Sequence, residues 1–182
     1  MIQTKKDIRR EVKKTILALD ENEKLQQSNH VCEQLRQLIE QRMPRCVALF
    51  APLPDEVDIR SLVADVGCRV VLPRVGDMAD GTPEMEFFDY DAQNLSAGAY
   101  GIMEPQDGEP CRAEEIDLMV VPGVAFAEDG RRLGRGKGYY DRYLSRAEFR
   151  AFTVGVCYGC QVRDDIPAEP HDKMVDMVVV AK

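Results

Sequence analysis

Residues 118–141 read LMVVPGVAFAEDGRRLGRGKGYYD, and the order of the two halves decides the fold. Leu118–Val121 is a short apolar run closed by Pro122-Gly123, which predicts a buried strand. Gly130–Asp141 follows, where Gly130, Gly134, Gly136 and Gly138 are interleaved with Arg131, Arg132, Arg135 and Lys137 ahead of Tyr139, Tyr140 and Asp141. Glycine permits positive φ and close approach of backbone N–H groups to a ligand. Successive N–H groups in such a loop can form an anion-binding nest, to which Arg and Lys add full charges. Ligands of open α/β sheets bind at the carboxyl ends of strands, which is where a loop after Leu118–Val121 would lie. The stretch predicts a site for a polyanion, a nucleoside triphosphate foremost. Most charge runs are only solvated turns, but such a turn needs neither alternate glycines nor an aromatic pair.

The loop is neither of the common phosphate motifs. Counting back from Lys137, a P-loop needs glycine where Arg131 stands, and Ser or Thr where Gly138 stands. The spacing of Gly134, Gly136 and Gly138 also departs from the dinucleotide fingerprint.

Working outward, short apolar runs bounded by turn residues recur. Strands are predicted at Cys46–Phe50, at Arg69–Leu72 (closed by Pro73), at Met85–Tyr90, at Phe152–Cys157 and at Met177–Val180. Helices are predicted at Asp58–Val66 and Gly138–Arg146. Continuous apolar strands alternating with helices imply an α/β fold, with a mostly parallel sheet covered on both faces. The loops after Cys46–Phe50 and after Leu118–Val121 are expected to open onto one crevice. Gly76–Pro83 and Met103–Ala113, rich in Gly, Pro and acid, are the expected mobile loops.

The first 43 residues predict a helical pair packed on the sheet, within a single domain 1–182. Thr4-x-x-Asp7 and Asp20-x-x-Glu23 are start signals for helices over Thr4–Leu19 and from Asp20 or Glu21 to Arg42, with Pro44 as the stop. Ile8, Val12, Ile16 and Leu19 share one face of the first. Leu25, Val31, Leu35, Leu38 and Ile39 form the stripe of the second. Lys5 and Arg9, four apart, project together from the first helix; periodicity alone makes them part of a solvated face.

The chain of 182 residues is 45% hydrophobic and 31% charged, as a globular domain is, and its formal net charge of -8 argues against nucleic acid as partner. A local basic loop in an acidic chain favours a small anion. No signal-like or membrane-spanning run is visible, so a cytoplasmic location with no membrane partner is expected, and a monomer. The cysteines are expected as free thiols, with Cys46 and Cys157 inside strands; Cys157-Tyr-Gly-Cys160 lacks the partners of a zinc site.

Pro122-Gly123-Val124-Ala125-Phe126, followed by Gly130-x-Arg132-Leu133-Gly134-x-Gly136-x-Gly138-Tyr139-Tyr140-Asp141, resembles the signature of the 5-formyltetrahydrofolate cyclo-ligases, or methenyltetrahydrofolate synthetases. The basic N-terminal helix, Asp55-Glu56, Pro73-Arg74, Gly101-Ile102-x-Glu104-Pro105 and Asp172-x-x-x-Asp176 fall in family-like order. The resemblance implies an enzyme of one-carbon metabolism that uses ATP and Mg²⁺ to close 5-formyltetrahydrofolate to 5,10-methenyltetrahydrofolate, releasing ADP and phosphate. The formyl oxygen is a poor leaving group; phosphorylation makes it a good one and makes the carbon electrophilic toward N10.

The site residues follow from the same resemblance. ATP is expected to meet Lys5, Arg9, Arg132, Leu133, Gly134, Arg135, Gly136, Lys137, Gly138, Tyr139 and Tyr140. Folate is expected to meet Ala51, Glu56, Tyr100, Arg135 and Tyr139. Lys137 and Arg135 are the expected catalytic cations. Asp141 and Asp172 are the expected Mg²⁺ ligands, with Asp176 the competitor for the second place. Of Tyr139 and Tyr140, one is expected in the pocket and one in the core. The loop alone leaves open a non-catalytic nucleotide- or folate-binding module, or a sugar-phosphate or acyl-carrier enzyme.

Overall fold

The computed structural model describes residues 3–98 and 100–182, so the first two residues of the expected helical pair lie outside it. The chain opens with helices α1 (Lys5–Ala18) and α2 (Glu21–Arg42). Both begin in capping boxes, with Thr4 and Asp20 accepting from the N3 amides of Asp7 and Glu23. This satisfies amide donors that the first helical turn leaves unpaired. Ile8, Val12 and Ile16 are buried on α1. On α2 the buried stripe is Ser28, Val31, Cys32, Leu35 and Ile39. Leu25 is 58% exposed, a departure from the expected stripe. Ser28 continues that stripe instead, its hydroxyl accepting from the Asp58 amide at 3.0 Å.

The strands are β1 (Cys46–Ala48), β2 (Arg69–Asp77), β3 (Pro83–Asp89), β4 (Leu95–Ala97), β5 (Met103–Pro105), β6 (Leu118–Val121), β7 (Ala125–Phe126), β8 (Arg132–Leu133), β9 (Phe152–Cys157) and β10 (Met177–Val180). Two short helices join them, α3 (Arg60–Val63) and α4 (Tyr139–Leu144). The central sheet has six strands in the order β10-β9-β6-β1-β2-β3. All neighbours pair in parallel except β2 with β3. Alternate residues feed two cores. Val47, Leu118, Val120, Val154 and Val156 pack under α1, α2 and α3. Ala48, Met119, Val121 and Cys157 face Tyr143 of α4 and Phe87 of β3. Burial on both faces is why these strands read as continuous apolar runs. Cys157 and Cys160 belong to opposite cores, and all the cysteines are free thiols.

Three expectations are corrected. Pro73 does not close β2, which runs on to Asp77 and pairs with β3 as an antiparallel hairpin. Pairing of β1 with β2 ends at Ala48 and Val71, so Pro73 lies where the missing N–H breaks no bond to β1. The segments expected as loops, Gly76–Pro83 and Met103–Ala113, therefore carry the ends of this hairpin and strand β5. The helix expected at Asp58–Val66 is a single turn, Arg60–Val63.

The chain leaves β1 toward β2 on one side, whereas β6 lies on the other side and leads to β9 and β10. The crevice between the carboxyl ends of β1 and β6 is therefore a topological switch point. Hairpin β7–β8 rises from it and carries the glycine loop. Phe126 of β7 is wedged there: a Cβ at Gly155 would lie 2.4 Å from its ring, and one at Gly123 would lie 2.7 Å away. Gly130 has φ +93°, and its carbonyl oxygen accepts from the Val175 amide at 2.9 Å. Among the described residues no helix is long and apolar enough to cross a membrane.

Candidate active site

A cleft of about 910 Å³ opens at the switch point. Ala51, Glu56, Tyr100, residues 132–141, Lys5, Arg9 and Asp172 all line it. Residues far apart in sequence thus share one cavity. The wall opposite the glycine loop is apolar: Phe50, Pro73, Val75, Met85 and Ile102.

The first turns of α1 place two cations. Arg9 Nε donates to the Gly134 carbonyl at 2.8 Å and so braces the loop. Lys5 Nζ donates to Glu169 Oε2 at 2.5 Å and to Asp172 Oδ2 at 2.6 Å. Burial works to lower the Lys5 pKa, but these carboxylates outweigh it and hold the ammonium above its ordinary value. The pair is therefore not a solvated face.

The loop's own cations are used differently. The Arg132 side chain is 3% exposed and donates through Nη2 to Asp141 Oδ1 at 3.0 Å. Its Nη1 donates to the Pro122 carbonyl at 3.3 Å, and its Nε is buried without a partner among the described residues. Arg135 crosses the cleft mouth: Nε donates to Glu56 Oε1 at 3.0 Å, while Nη1 and Nη2 donate to Asp55 at 3.1 and 2.6 Å. Lys137 stands exposed at the rim with no ion-pair partner among the described residues. Gly136 has φ +103° and Gly138 has φ +71°, the left-handed conformations that this loop needs. No backbone N–H from Gly134 to Gly138 donates to another described residue, which leaves them for a ligand.

The carboxylates are equally specific. Asp141 Oδ1 accepts from both Arg132 Nη2 and the Lys173 amide, each at 3.0 Å. Asp172 Oδ2 accepts from Lys5 and from the Glu169 amide, the latter at 2.7 Å. In each case the other oxygen accepts no hydrogen bond from a described residue. Asp141, oriented through Oδ1, and Asp172, whose Oδ2 is held by Lys5 and the Glu169 amide while Oδ1 lies 3.7 Å from His171 Nε2, supply the hard oxygen donors that suit a divalent cation such as Mg²⁺. Asp176 serves elsewhere, accepting from the Thr153 amide and hydroxyl at 2.8 and 2.7 Å at the amino ends of β9 and β10.

Glu56 is buried, its side chain 9% exposed. Burial pushes its pKa up against the pull of Arg135 and of the Leu53 amide, which donates to Oε2 at 2.9 Å. Tyr158 donates from its hydroxyl to the Glu56 carbonyl at 2.8 Å and fixes the backbone there. For Asp55, burial acts upward, yet Arg135 prevails and holds it below the usual carboxylate range.

The expectation of one core and one pocket tyrosine is corrected. Tyr139 and Tyr140 both line the cleft and are both half-buried against the second core. The core aromatic is Tyr143, whose ring meets Phe87 edge-on at 4.9 Å. Tyr143, three and four positions on, shares their helix face but lies deeper in that core, at 1% exposure. Burial and hydrogen bonding with Tyr100 push the Tyr139 phenol to about 12.

Sequence reasoning did not place Pro73, Val75, Met85 and Ile102 in the cleft; Val75 lies in the part of β2 beyond the expected end at Pro73. It also missed Arg142, Ser145, Glu169 and His171. Arg142 Nε donates to the Pro83 carbonyl at 2.9 Å and ties α4 to β3. The signal for Glu169 and His171 was their spacing next to Asp172.

The 5-formyltetrahydrofolate cyclo-ligase family model matches residues 1–181. The 5-formyltetrahydrofolate cyclo-ligase of Mus musculus is 30% identical over 96% of this chain and 92% of its own length. That of Haemophilus influenzae is 30% identical over 93% and 94%. The NMR structure of Aquifex aeolicus 5,10-methenyltetrahydrofolate synthetase is 36% identical and superposes with a TM-score of 0.83, covering 98% of this chain and 90% of its own. The Mycoplasma pneumoniae 5,10-methenyltetrahydrofolate synthetase, 26% identical, superposes with a TM-score of 0.76 over 97% and 98%. In sequence and in fold alike, over nearly its whole length, the chain belongs to the 5-formyltetrahydrofolate cyclo-ligase family.

Proposed function

We propose that this enzyme converts 5-formyltetrahydrofolate to 5,10-methenyltetrahydrofolate with Mg-ATP, releasing ADP and phosphate. The observation that carries the reading is a single cleft with a cationic glycine loop on one wall, an apolar surface on the other and a buried carboxylate between them. The polar wall suits a triphosphate and the apolar wall suits the flat rings of a folate. Their junction, at Arg135 and Glu56, brings the two together.

The chain's residues take the following parts. The free N–H groups of Gly134 to Gly138 and the Lys137 ammonium hold the phosphates. Arg9 keeps the loop in place through Gly134. Glu56 accepts hydrogen bonds from pterin N–H groups, and Tyr100 and Tyr139 flank the rings. Arg135 and Lys137 offset the charge that develops as the γ-phosphoryl group passes to the formyl oxygen. N10 then bonds to the formyl carbon and loses its proton, the carbon–oxygen bond breaks, and phosphate departs with the oxygen. The apolar wall keeps water from the activated carbon.

Asp141 and Asp172 would hold Mg²⁺, which when bound would offset the negative charge of the phosphates. Arg132 orients Asp141 toward that role from beneath.

The test is to mix the protein with Mg-ATP and 5-formyltetrahydrofolate and follow the near-ultraviolet absorbance of the methenyl product. Product formation that requires both ATP and Mg²⁺ supports the reading. Folded protein that binds both substrates without product would make it a binding module instead.

A further inference from the structure

The ligand atoms of Glu169, His171 and Asp172 lie within 4.8 Å of one another beside the cleft. The Lys5 ammonium sits between two of them, 2.5 Å from Glu169 Oε2 and 2.6 Å from Asp172 Oδ2. Lys5 and Asp172 are mostly buried, with side chains 20% and 18% exposed, so screening by water is incomplete. Lys5 is the first residue of α1, and the Thr4 capping box fixes the turn that carries it. Its side chain lines the same cleft as the glycine loop. Two carboxylates that share one ammonium would repel each other without it. A divalent cation drawn to Asp172 would in turn repel the ammonium, since like charges a few ångströms apart are costly where water is scarce.

We propose that Lys5 is the resting occupant of the cation site at Asp172, held there by Glu169, and that the arriving metal displaces it toward the phosphates of the nucleotide. This rests on the Mg-ATP reading above and assigns Glu169 as a positioning residue for Lys5. Metal and Lys5 compete for one carboxylate, whereas metal and nucleotide each favour the state in which Lys5 has moved. Binding of either must then strengthen binding of the other by the same factor, since linkage is reciprocal. Coupling of this kind is typically about fivefold or more.

The test reads Mn²⁺ binding to the nucleotide-free protein by paramagnetic resonance, without folate and without turnover. Lys5→Met removes the resident cation and is expected to raise Mn²⁺ affinity about tenfold; an unchanged or lower affinity overturns the proposal. A second measurement needs no variant at that position. Acetylation of the Lys5 amine in wild-type protein, located by mass spectrometry, is expected to rise with Mn²⁺ alone. It is expected to fall again when a non-hydrolysable ATP analogue is added. Labelling indifferent to Mn²⁺ overturns the proposal. In metal-free Glu169→Gln protein the same labelling is expected to exceed wild type, and equal labelling removes Glu169 from the scheme. Because turnover is not read, failure here leaves the cyclo-ligase reading standing, and absence of methenyl product leaves this competition measurable.

Discussion

Arg135 reaches from the glycine loop to the buried carboxylate of Glu56, Nε to Oε1 at 3.0 Å, and ties the loop after β8 to the loop after β1. A charge proposed to meet the phosphates is thereby held by the acid proposed to meet the folate. The cleft therefore has a built-in link between its two halves.

Glu56 should trade stability for binding. Its folded pKa is raised by burial above the ordinary value of 4.5. A group raised in this way favours the fold below its unfolded pKa, and that contribution is lost as pH rises through the folded pKa. Near neutral pH the ionised side chain is thus a net cost. Glu56→Gln is expected to have a Tm at pH 7.5 equal to or above wild type, with the difference shrinking as the pH falls toward 4.5. Affinity for 5-formyltetrahydrofolate should fall roughly tenfold or more with the loss of a charged acceptor. Thermal melts across pH, paired with calorimetry, check both halves; a clear Tm loss at pH 7.5 would count against the burial argument.

Arg132 should act through Asp141. Arg132→Met leaves a carboxylate without the guanidinium beneath it, at a cost of about 3 kcal/mol of stability. Misorientation of Asp141 should weaken the apparent affinity for Mg²⁺ by about 10- to 100-fold. A Mg²⁺ titration of activity, at a temperature where the variant is folded, checks this. Wild-type Mg²⁺ dependence in the variant would separate Arg132 from the metal.

Lys137 is exposed at the rim, so its loss should leave the fold alone. Lys137→Ala is expected to change stability by less than about 0.5 kcal/mol. The ratio kcat/KM for ATP should fall by about 100-fold, on the order of removing one donor to a developing charge. Folate affinity should be unchanged. Collapse of folate binding with intact ATP use would reverse the assignment.

Gly136 tests the backbone. A Cβ there would meet nothing closer than the Arg9 guanidinium at 3.6 Å, so space does not forbid alanine. The φ of +103° does, at roughly 1–3 kcal/mol. Gly136→Ala should therefore raise KM for ATP while leaving KM for folate nearly constant. Unchanged kinetics would show that the loop's conformation is not what binds the phosphates.

Much of the molecule was legible before folding. The capping boxes at Thr4 and Asp20, the buried runs at Leu118–Val121 and Phe152–Cys157, and the loop that follows β6 all depend on near neighbours in the chain. The boundary at Pro73 was not legible. Whether a proline ends a strand depends on which partners run beside it, and β1 stops two residues earlier in the register. The apolar wall of the cleft was not legible either, because Phe50, Val75, Met85 and Ile102 come from four separate segments that meet only in the fold. Leu25, placed in the stripe by spacing, proved exposed for a comparable reason: periodicity assigns a face, but contact with the sheet decides burial.

Short apolar runs alternating with helices already dictate a doubly covered sheet, with a glycine–cation loop hanging from its central strand. Such features follow from local sterics and from the spacing of consecutive residues. What each charge does is set by packing. Arg132 and Lys137 are both cations of one loop, yet one is buried on Asp141 and the other is exposed at the rim with no ion-pair partner among the described residues. Arg135 meets Glu56 from 79 positions away, and Lys5 meets Asp172 from 167. Which ions pair is set by distance and burial, and those exist only once the chain has folded.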